Sequence, residues 1–208
     1  MPITDLDAAC SALGADLDVR IRWHGEGLDR LLDASHADLV NRVVQLLGVN
    51  GWESAVEVSF NHFGERGAVD VLGWHPTASA LLIVEVKSVV PDAQAMVSSH
   101  DRKARLAGVI GRSRGWDADV VGRLLVIADT STSRRRVLDL ADLFGAAYAD
   151  RAIAVRRWLE NPVGPLSGLV FLPNAHGDGT RRRDGARERV QRPRPRVQRP
   201  RRRPDRRE

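Results

Sequence analysis

Two acids and a lysine interrupt neighbouring apolar segments of the chain. Asp70 lies within one segment, and Glu85 and Lys87 lie within the next, which begins at Ala80. Side chains alternate between the two faces of a β-strand, so Glu85 and Lys87 share a face, about 7 Å apart along the strand. Ionisable groups are costly to bury unless something neutralises or uses them. Two carboxylates and an amine that converge inside a sheet therefore predict a metal site that handles phosphate.

Three consecutive strands are predicted to position these groups. They span about residues 53–61, 66–74 and 80–90, with turns at 63–67 and 75–77. The third strand is apolar on both faces apart from the polar residues near its end, which is typical of a central, covered strand. In the first strand, alternation predicts Val56, Val58 and Phe60 on one face. Glu57, on the opposite face, either points toward Asp70 or is solvated, because register cannot be deduced from sequence.

Asp70 followed by Glu85-Val86-Lys87 resembles the D…(D/E)-x-K motif of the PD-(D/E)XK nuclease superfamily, which has the restriction-endonuclease-like fold. Helix, three strands, helix and strand also follow one another as in that family's core, over roughly residues 33–130. Valine stands where the family has its proline. The resemblance implies an α/β fold with an αβββαβ core, whose central mixed sheet is flanked by helices.

The same resemblance implies an activity, the metal-dependent hydrolysis of DNA phosphodiester bonds by an endonuclease. The carboxylates of Asp70 and Glu85 and the carbonyl of Val86 would hold Mg²⁺ or Mn²⁺, hard cations that take oxygen ligands. Lys87 would orient the attacking water and offset charge on the phosphate. Because a fold does not determine an activity, an alternative stays open. It is a non-catalytic DNA-binding, transcription-regulatory module that has kept the nuclease fold.

Residues 23–172 resemble, more specifically, the C-terminal nuclease-like domain of actinobacterial helix-turn-helix regulators. In those regulators a DNA-binding domain comes first, whereas a helix at 4–13 and a half-exposed strand at 16–23 are predicted here. The expected organisation is an N-terminal extension at 1–30, a nuclease-like domain at 31–172 and a tail at 173–208. A homodimer is one option, because cleavage of both strands of a duplex needs two sites.

Two predicted helices carry further polar groups toward the site. A helix over about residues 35–47 places His36 on its apolar stripe, either near the metal or as a hydrogen-bonded core histidine. A helix over about residues 92–114 places on one face Met96, His100, Lys103, Ala107 and Ile110. A histidine and a lysine on a face that packs against the sheet favour a phosphate-binding groove, with Arg102 and Arg105 beside it. The alternative is a helix rim whose long basic side chains reach water.

The remaining elements complete an α/β pattern. A fourth strand is predicted over residues 123–129, parallel to the third, with helices at 133–148 and 152–159 and a last strand at 166–172. An apolar content of 43% is enough to form a core.

Charge is divided unequally along the chain. Residues 181–208 hold fourteen arginines and four acids, a net of +10, so residues 1–180 carry a net of −5. The tail has many prolines and few apolar residues, and we expect it to be disordered. Its arginines, among them Arg181, Arg182 and Arg183, either bind nucleic acid through counterion release or are passive.

The single cysteine, Cys10, excludes a disulfide framework and a cysteine-rich zinc site. The first residues lack the basic and apolar regions of a signal peptide. The apolar runs are strand-length and far shorter than a membrane span. We therefore expect a cytoplasmic protein that acts on nucleic acid, with DNA as the expected partner, and that has no membrane partner.

Overall fold

The structure, a computed structural model, describes residues 3–14 and 26–173. The helices are α1 (Ile3–Ala12), α2 (Glu26–Val49), α3 (Ala93–Arg105), α4 (Ala107–Arg112), α5 (Ser131–Asp139), α6 (Ala141–Ala147) and α7 (Ala152–Glu160). The strands are β1 (Glu53–His62), β2 (Glu65–His75), β3 (Ala80–Lys87), β4 (Val120–Ala128) and β5 (Leu166–Leu172). A short 3₁₀ helix, Pro76–Ala78, lies between β2 and β3.

The five strands form one mixed sheet in chain order, from β1 at one edge to β5 at the other. The pairs β1–β2 and β2–β3 are antiparallel, whereas β3–β4 and β4–β5 are parallel. Parallel neighbours need a long crossover, and α3 and α4 form the one between β3 and β4. The predicted α/β class, with a mixed sheet flanked by helices, is confirmed.

Apolar side chains cover both faces of this sheet. On the face packed by α2 and α7, the core includes Leu39, Val43, Leu82, Val84, Val126 and Trp158. On the opposite face, one cluster at α4 includes Leu72, Leu81, Ile83, Leu106 and Ile110. A second cluster on that side joins α3 and α6 to the sheet through Met96, Leu125, Ile127, Phe144 and Tyr148. Strand β3 contributes to both faces, as expected of a central strand.

The long helix predicted over residues 92–114 is two helices that meet at Leu106. Asp92 caps the first of them, because its side chain accepts a hydrogen bond from the N–H of Ala95 at 3.0 Å. The predicted inward face is confirmed, since all five of its residues are buried. The helix predicted over 133–148 is likewise divided, into α5 and α6, at Leu140.

Helix α2 begins at Glu26, nine residues before its predicted start at Ser35. The prediction was wrong because Gly27 and the polar residues around it are typical of a loop. The helical spacing nevertheless continues upstream, since Leu28 and Leu32 precede the buried Ser35 and Leu39 at intervals of four, three and four residues.

Strand β1 changes face at Glu57, whose φ of 50° lies in the left-handed region. Alternation predicted Val56 and Val58 on one face, but Val56 is 52% exposed and Val58 is buried. Ala55, Val58 and Phe60 pack against one cluster instead. The prediction for Val56 was wrong because a single left-handed residue reverses the alternation that follows it.

Strand β2 changes face beside the same point. Val69 and Leu72 are three residues apart, which places them on opposite faces of a regular strand, yet both pack in one cluster. The register of β1 and β2 passes from Val56–Val71 to Val58–Val69 and omits the pair between them. Asp70 belongs to that omitted pair, so the irregularity of both strands centres on it.

Three predictions from the sequence lie outside the described residues. They are the strand over residues 16–23, the disorder of the tail predicted over 173–208, of which only residue 173 is described, and the nucleic-acid role of Arg181, Arg182 and Arg183. These stay predictions.

The close approach of α7 to the sheet depends on glycine in β4. A Cβ atom at Gly122 would lie 2.6 Å from Cη2 of Trp158. Because both residues are buried, Gly122→Ala is expected to lower the free energy of unfolding by about 1–3 kcal/mol. Urea denaturation measures this. The control is Gly145→Ala in α6, where a Cβ meets open space; alanine there is expected to raise stability by up to about 1 kcal/mol. Equal effects of the two changes would contradict the packing.

Candidate functional site

The site forms where β2 separates from β3. Their antiparallel pairing runs from His75–Ala80 to Val71–Val84 and ends there. Asp70 is the next residue of β2, and its Oδ2 accepts a hydrogen bond from the N–H of Val86 at 2.7 Å. A side-chain carboxylate thus replaces the backbone acceptor that β3 loses when β2 departs.

Asp70 and Glu85 are the residues next to Val71–Val84, the last pair that joins β2 to β3. Glu85 shares a face with Lys87 and with Ile83, which packs under α4. Glu85 therefore lies on the side of the sheet that α3 and α4 cover, and its negative charge acts on Asp70 by raising the pKa of that carboxyl.

The carboxylate of Glu85 is held between two ammonium groups. Lys87 Nζ lies 2.7 Å from Oε1, and Lys103 Nζ, which comes from α3, lies 2.5 Å from Oε2. Glu85 is only 3% exposed. Burial alone would raise the pKa of Glu85, but the hydrogen bonds and charges of Lys103 and Lys87 outweigh it and lower the pKa. Glu85 is therefore ionised at neutral pH.

Asp70 has the opposite balance. Burial raises its pKa most, and the neighbouring charge of Glu85 raises it further. The N–H of Val86 and the two lysines lower the pKa of Asp70 without cancelling these effects. Within the described part of the chain, Oδ1 of Asp70 has no hydrogen-bond partner. Lys87 and Lys103 therefore neutralise mainly Glu85, and no lysine is bonded to Asp70 within the described residues.

This donor set fits a hard divalent cation. It offers two carboxylates, one of them with a free oxygen, and an added positive charge would oppose the effects of burial and of Glu85 that raise the pKa of Asp70. In a regular strand the N–H and carbonyl of one residue face the same neighbour, so we expect the Val86 carbonyl on this side also. Mg²⁺ commonly takes one or two carboxylates and keeps several waters. In residues 3–14 and 26–173 no three or more His, Cys, Asp or Glu residues are grouped to hold a metal.

His100 packs against the sheet, but both of its ring nitrogens bind residues other than the two acids. Its Nε2 lies 3.3 Å from the carbonyl oxygen of Ile83, and its Nδ1 lies 2.9 Å from the hydroxyl of Tyr148. A carbonyl only accepts, so Nε2–H donates to Ile83, and neutral Nδ1 accepts from Tyr148. Both nitrogens are engaged, so His100 is a buried, hydrogen-bonded histidine, a role that neither the groove nor the helix-rim interpretation gave it. Tyr148 itself was missed, because 48 residues separate it from His100 and no local pattern links them.

Other predicted residues occupy three different settings. Glu57 is exposed, and no described contact joins it to Asp70. His36 lines a cleft of about 410 Å³ that Lys87 and Asp92 also line. Arg102 is exposed, in agreement with the helix-rim interpretation.

Arg105 is exposed as well, but it is not free. Its Nη2 lies 2.6 Å from Oε1 of Glu65, at the tip of the β1–β2 hairpin. Glu65 lies in the turn predicted over residues 63–67, and sequence gives no sign of this pairing across 40 positions. Lys103 was expected to line a groove, whereas it is buried and binds Glu85 directly.

No protein-family model matches the chain, and a search of curated proteins also finds no match. Across the part of the chain that the structure describes, no helix combines the length and the apolarity needed to cross a membrane.

The burial of His100 predicts a pH-dependent stability. Burial lowers its pKa from 6.5 to about 4, because the charged ring is poorly solvated there. The unfolded chain takes up this proton first, so stability is lost as pH falls from about 6.5 toward 4. The loss amounts to about 3 kcal/mol at pH 4.

Urea denaturation of the wild type and of His100→Gln at pH 7.5 and pH 4.5 isolates this contribution. The difference in stability between the two proteins is expected to shrink at pH 4.5, because glutamine takes up no proton. A difference that stays constant with pH would show that the pKa of His100 is the same in the folded and unfolded protein, and would contradict the prediction.

Proposed function

We propose that the protein is a metal-dependent nuclease with a restriction-endonuclease-like core, a member of the PD-(D/E)XK superfamily that hydrolyses phosphodiester bonds in DNA. The observation that carries the proposal is the position of two carboxylates. Where β2 leaves β3, Asp70 accepts the N–H of Val86 and interacts electrostatically with the neighbouring Glu85, and Lys87 is bonded to Glu85. The order of α2, β1, β2, β3, α3 and β4 supports it further.

Each residue has a distinct part in this proposal. Asp70, Glu85 and the carbonyl of Val86 would hold Mg²⁺ or Mn²⁺. When bound, the ion supplies a Lewis acid for a phosphate oxygen and lowers the pKa of water. Lys87, whose side chain is 31% exposed, can donate a hydrogen bond to the attacking water or to a phosphate oxygen while it stays beside Glu85. Lys103 is buried and orients the Glu85 carboxylate.

The polynucleotide would approach from the side that remains open. The cleft that Lys87 lines together with His36 and Asp92 lies at the end of β3. Arg102 is exposed on α3, the helix that carries Lys103, and would supply a positive charge for contact with the phosphate backbone. The arginines of residues 181–208 would add affinity for any polyanion. A homodimer would supply the second site that cleavage of both strands needs.

A second candidate, the non-catalytic DNA-binding module, rests on the lysines. Both oxygens of Glu85 already have a positively charged partner. A buried acid that is neutralised in this way needs no metal ion, so Glu85 and its two lysines can serve only to stabilise the fold. Under this candidate, binding of DNA depends on the basic tail and is indifferent to Mg²⁺.

A cleavage assay separates these candidates. Single-stranded, duplex and branched DNA are incubated with the full-length protein in Mg²⁺ or Mn²⁺, and with Asp70→Asn or Lys87→Met. Asparagine keeps an acceptor for the N–H of Val86, so Asp70→Asn removes charge with little change in shape. Each variant is expected to lower the cleavage rate by about 100-fold or more.

The matched control is Asp150→Asn. Asp150 also accepts a backbone N–H, that of Ser167 at 2.9 Å, but it lies at the far side of the sheet, next to β5. Its cleavage rate is expected to equal that of the wild type. DNA binding without cleavage in either metal, unchanged by Asp70→Asn and abolished by removal of residues 174–208, would favour the non-catalytic module.

A further inference from the structure

The β1–β2 hairpin extends beyond the sheet next to the candidate site. Pairing of β2 with β3 ends at Val71, but β1 and β2 remain paired to His62–Glu65. We call residues 57–70 the hairpin arm. Five residues separate Asp70 from Glu65, so the tip lies about 17 Å along the strand from the acids.

The arm is fixed at both ends. At its base, Val58 and Val69 are buried in the cluster that contains Leu106 of the α3–α4 junction. Near its tip, Glu65 pairs with Arg105 on the last turn of α3, the helix that also brings Lys103 to Glu85. The tip therefore has a defined position relative to the site.

The tip itself presents an aromatic ring to solvent. Phe63 is 95% exposed, which makes it the most exposed large apolar side chain of the described residues. The ring of His62 meets it edge to face, with centroids 4.4 Å apart. A phenylalanine that touches only one neighbouring ring contributes little to the core.

The backbone of the tip also disfavours phenylalanine. Phe63 and Gly64 have φ values of 47° and 84°, the left-handed pair that Asn-Gly adopts most readily in two-residue hairpin turns. A non-glycine residue with a β-carbon is strained in this region. Within the described residues, neither packing nor turn geometry therefore accounts for phenylalanine at position 63.

The surroundings of the tip are polar and include arginines besides the Glu65–Arg105 pair. Arg66 and Asn61 are exposed on neighbouring positions of the arm, and within the described residues Arg66 has no ion pair. Arg102 is exposed on the same helix as Arg105. Aromatic rings flanked by cations bind single-stranded nucleic acid, because any base can stack on the ring while the cations contact phosphate. One ring is far too small a surface for a stable protein dimer.

We propose that the tip, His62 and Phe63, is a stacking platform for an unpaired base. The proposal rests on the proposed function and deepens it. The preferred substrate has a single-stranded or branched segment within about 17–20 Å of the phosphate at Asp70 and Glu85, the reach of the arm.

The test measures DNA affinity without cleavage. Full-length protein is titrated in EDTA, at 0.3 M salt to weaken contacts of the basic tail, with fluorescein-labelled oligothymidine and with a duplex of the same length. Phe63→Asn removes the ring and provides the residue that this turn favours, so its thermal stability is expected to be equal or higher. Its affinity for the single strand is expected to fall by about 5- to 150-fold, with no change for the duplex.

Two further variants complete the design. Phe63→Trp keeps an aromatic ring and is expected to bind the single strand as tightly as the wild type does. The fluorescence of the added tryptophan is expected to be quenched by the single strand but not by the duplex. Leu138→Asn removes another exposed apolar side chain, on α5, and is expected to bind both DNAs as the wild type does.

The outcomes distinguish this inference from the proposed function. Unchanged single-strand affinity in Phe63→Asn, or an equal loss for the duplex, overturns the stacking platform. A change from dimer to monomer in Phe63→Asn, measured by light scattering, assigns the tip to a protein contact and also overturns it. Because no cleavage is needed, the platform can stand if Asp70→Asn cleaves normally, and it can fail while the nuclease proposal holds.

Discussion

A buried carboxylate at the end of a strand pairing is the constraint on which this site depends. Glu85 lies in the covered centre of the sheet, where an unpaired charge is very unfavourable. Lys87 from its own strand and Lys103 from α3 neutralise it and join the helix to the sheet. The carboxylate of Asp70 is held next to Glu85 by the N–H of Val86, which is available as a donor because β2 no longer pairs with β3 there. The irregularities of β1 and β2 centre on this same point.

Much of this arrangement could be predicted from sequence. The apolar runs of β3 and β4 and the helical spacing from Met96 to Ile110 are strong periodic signals, and both were correct. The common face of Glu85 and Lys87 follows from alternation alone. The strands and helices that position the acids are thus encoded locally, in residue types that recur at the period of one secondary structure.

The remaining features depend on contacts between distant residues. Glu57 in a left-handed conformation reverses the alternation of β1, and no nearby glycine or proline marks it. The pairing of Lys103 with Glu85 needs the packing of α3 on the sheet, which periodicity indicates only as a face. The partners of His100 and Arg105 lie 48 and 40 residues away. Such pairings are set by tertiary structure and leave no signal in a short window of sequence.

The central claim is that Asp70 and Glu85 form one cation pocket. It is tested most directly by the free energy of unfolding of the wild type and Asp70→Asn, in EDTA and in Mn²⁺. In EDTA the variant is expected to be at least as stable, because a carboxyl whose pKa is raised in the folded protein favours unfolding once ionised. Mn²⁺ is expected to stabilise the wild type, by about 2.7 kcal/mol at a hundred times the dissociation constant, and to leave Asp70→Asn unchanged. Equal stabilisation of both proteins by Mn²⁺, or a variant that is less stable in EDTA, would contradict the account.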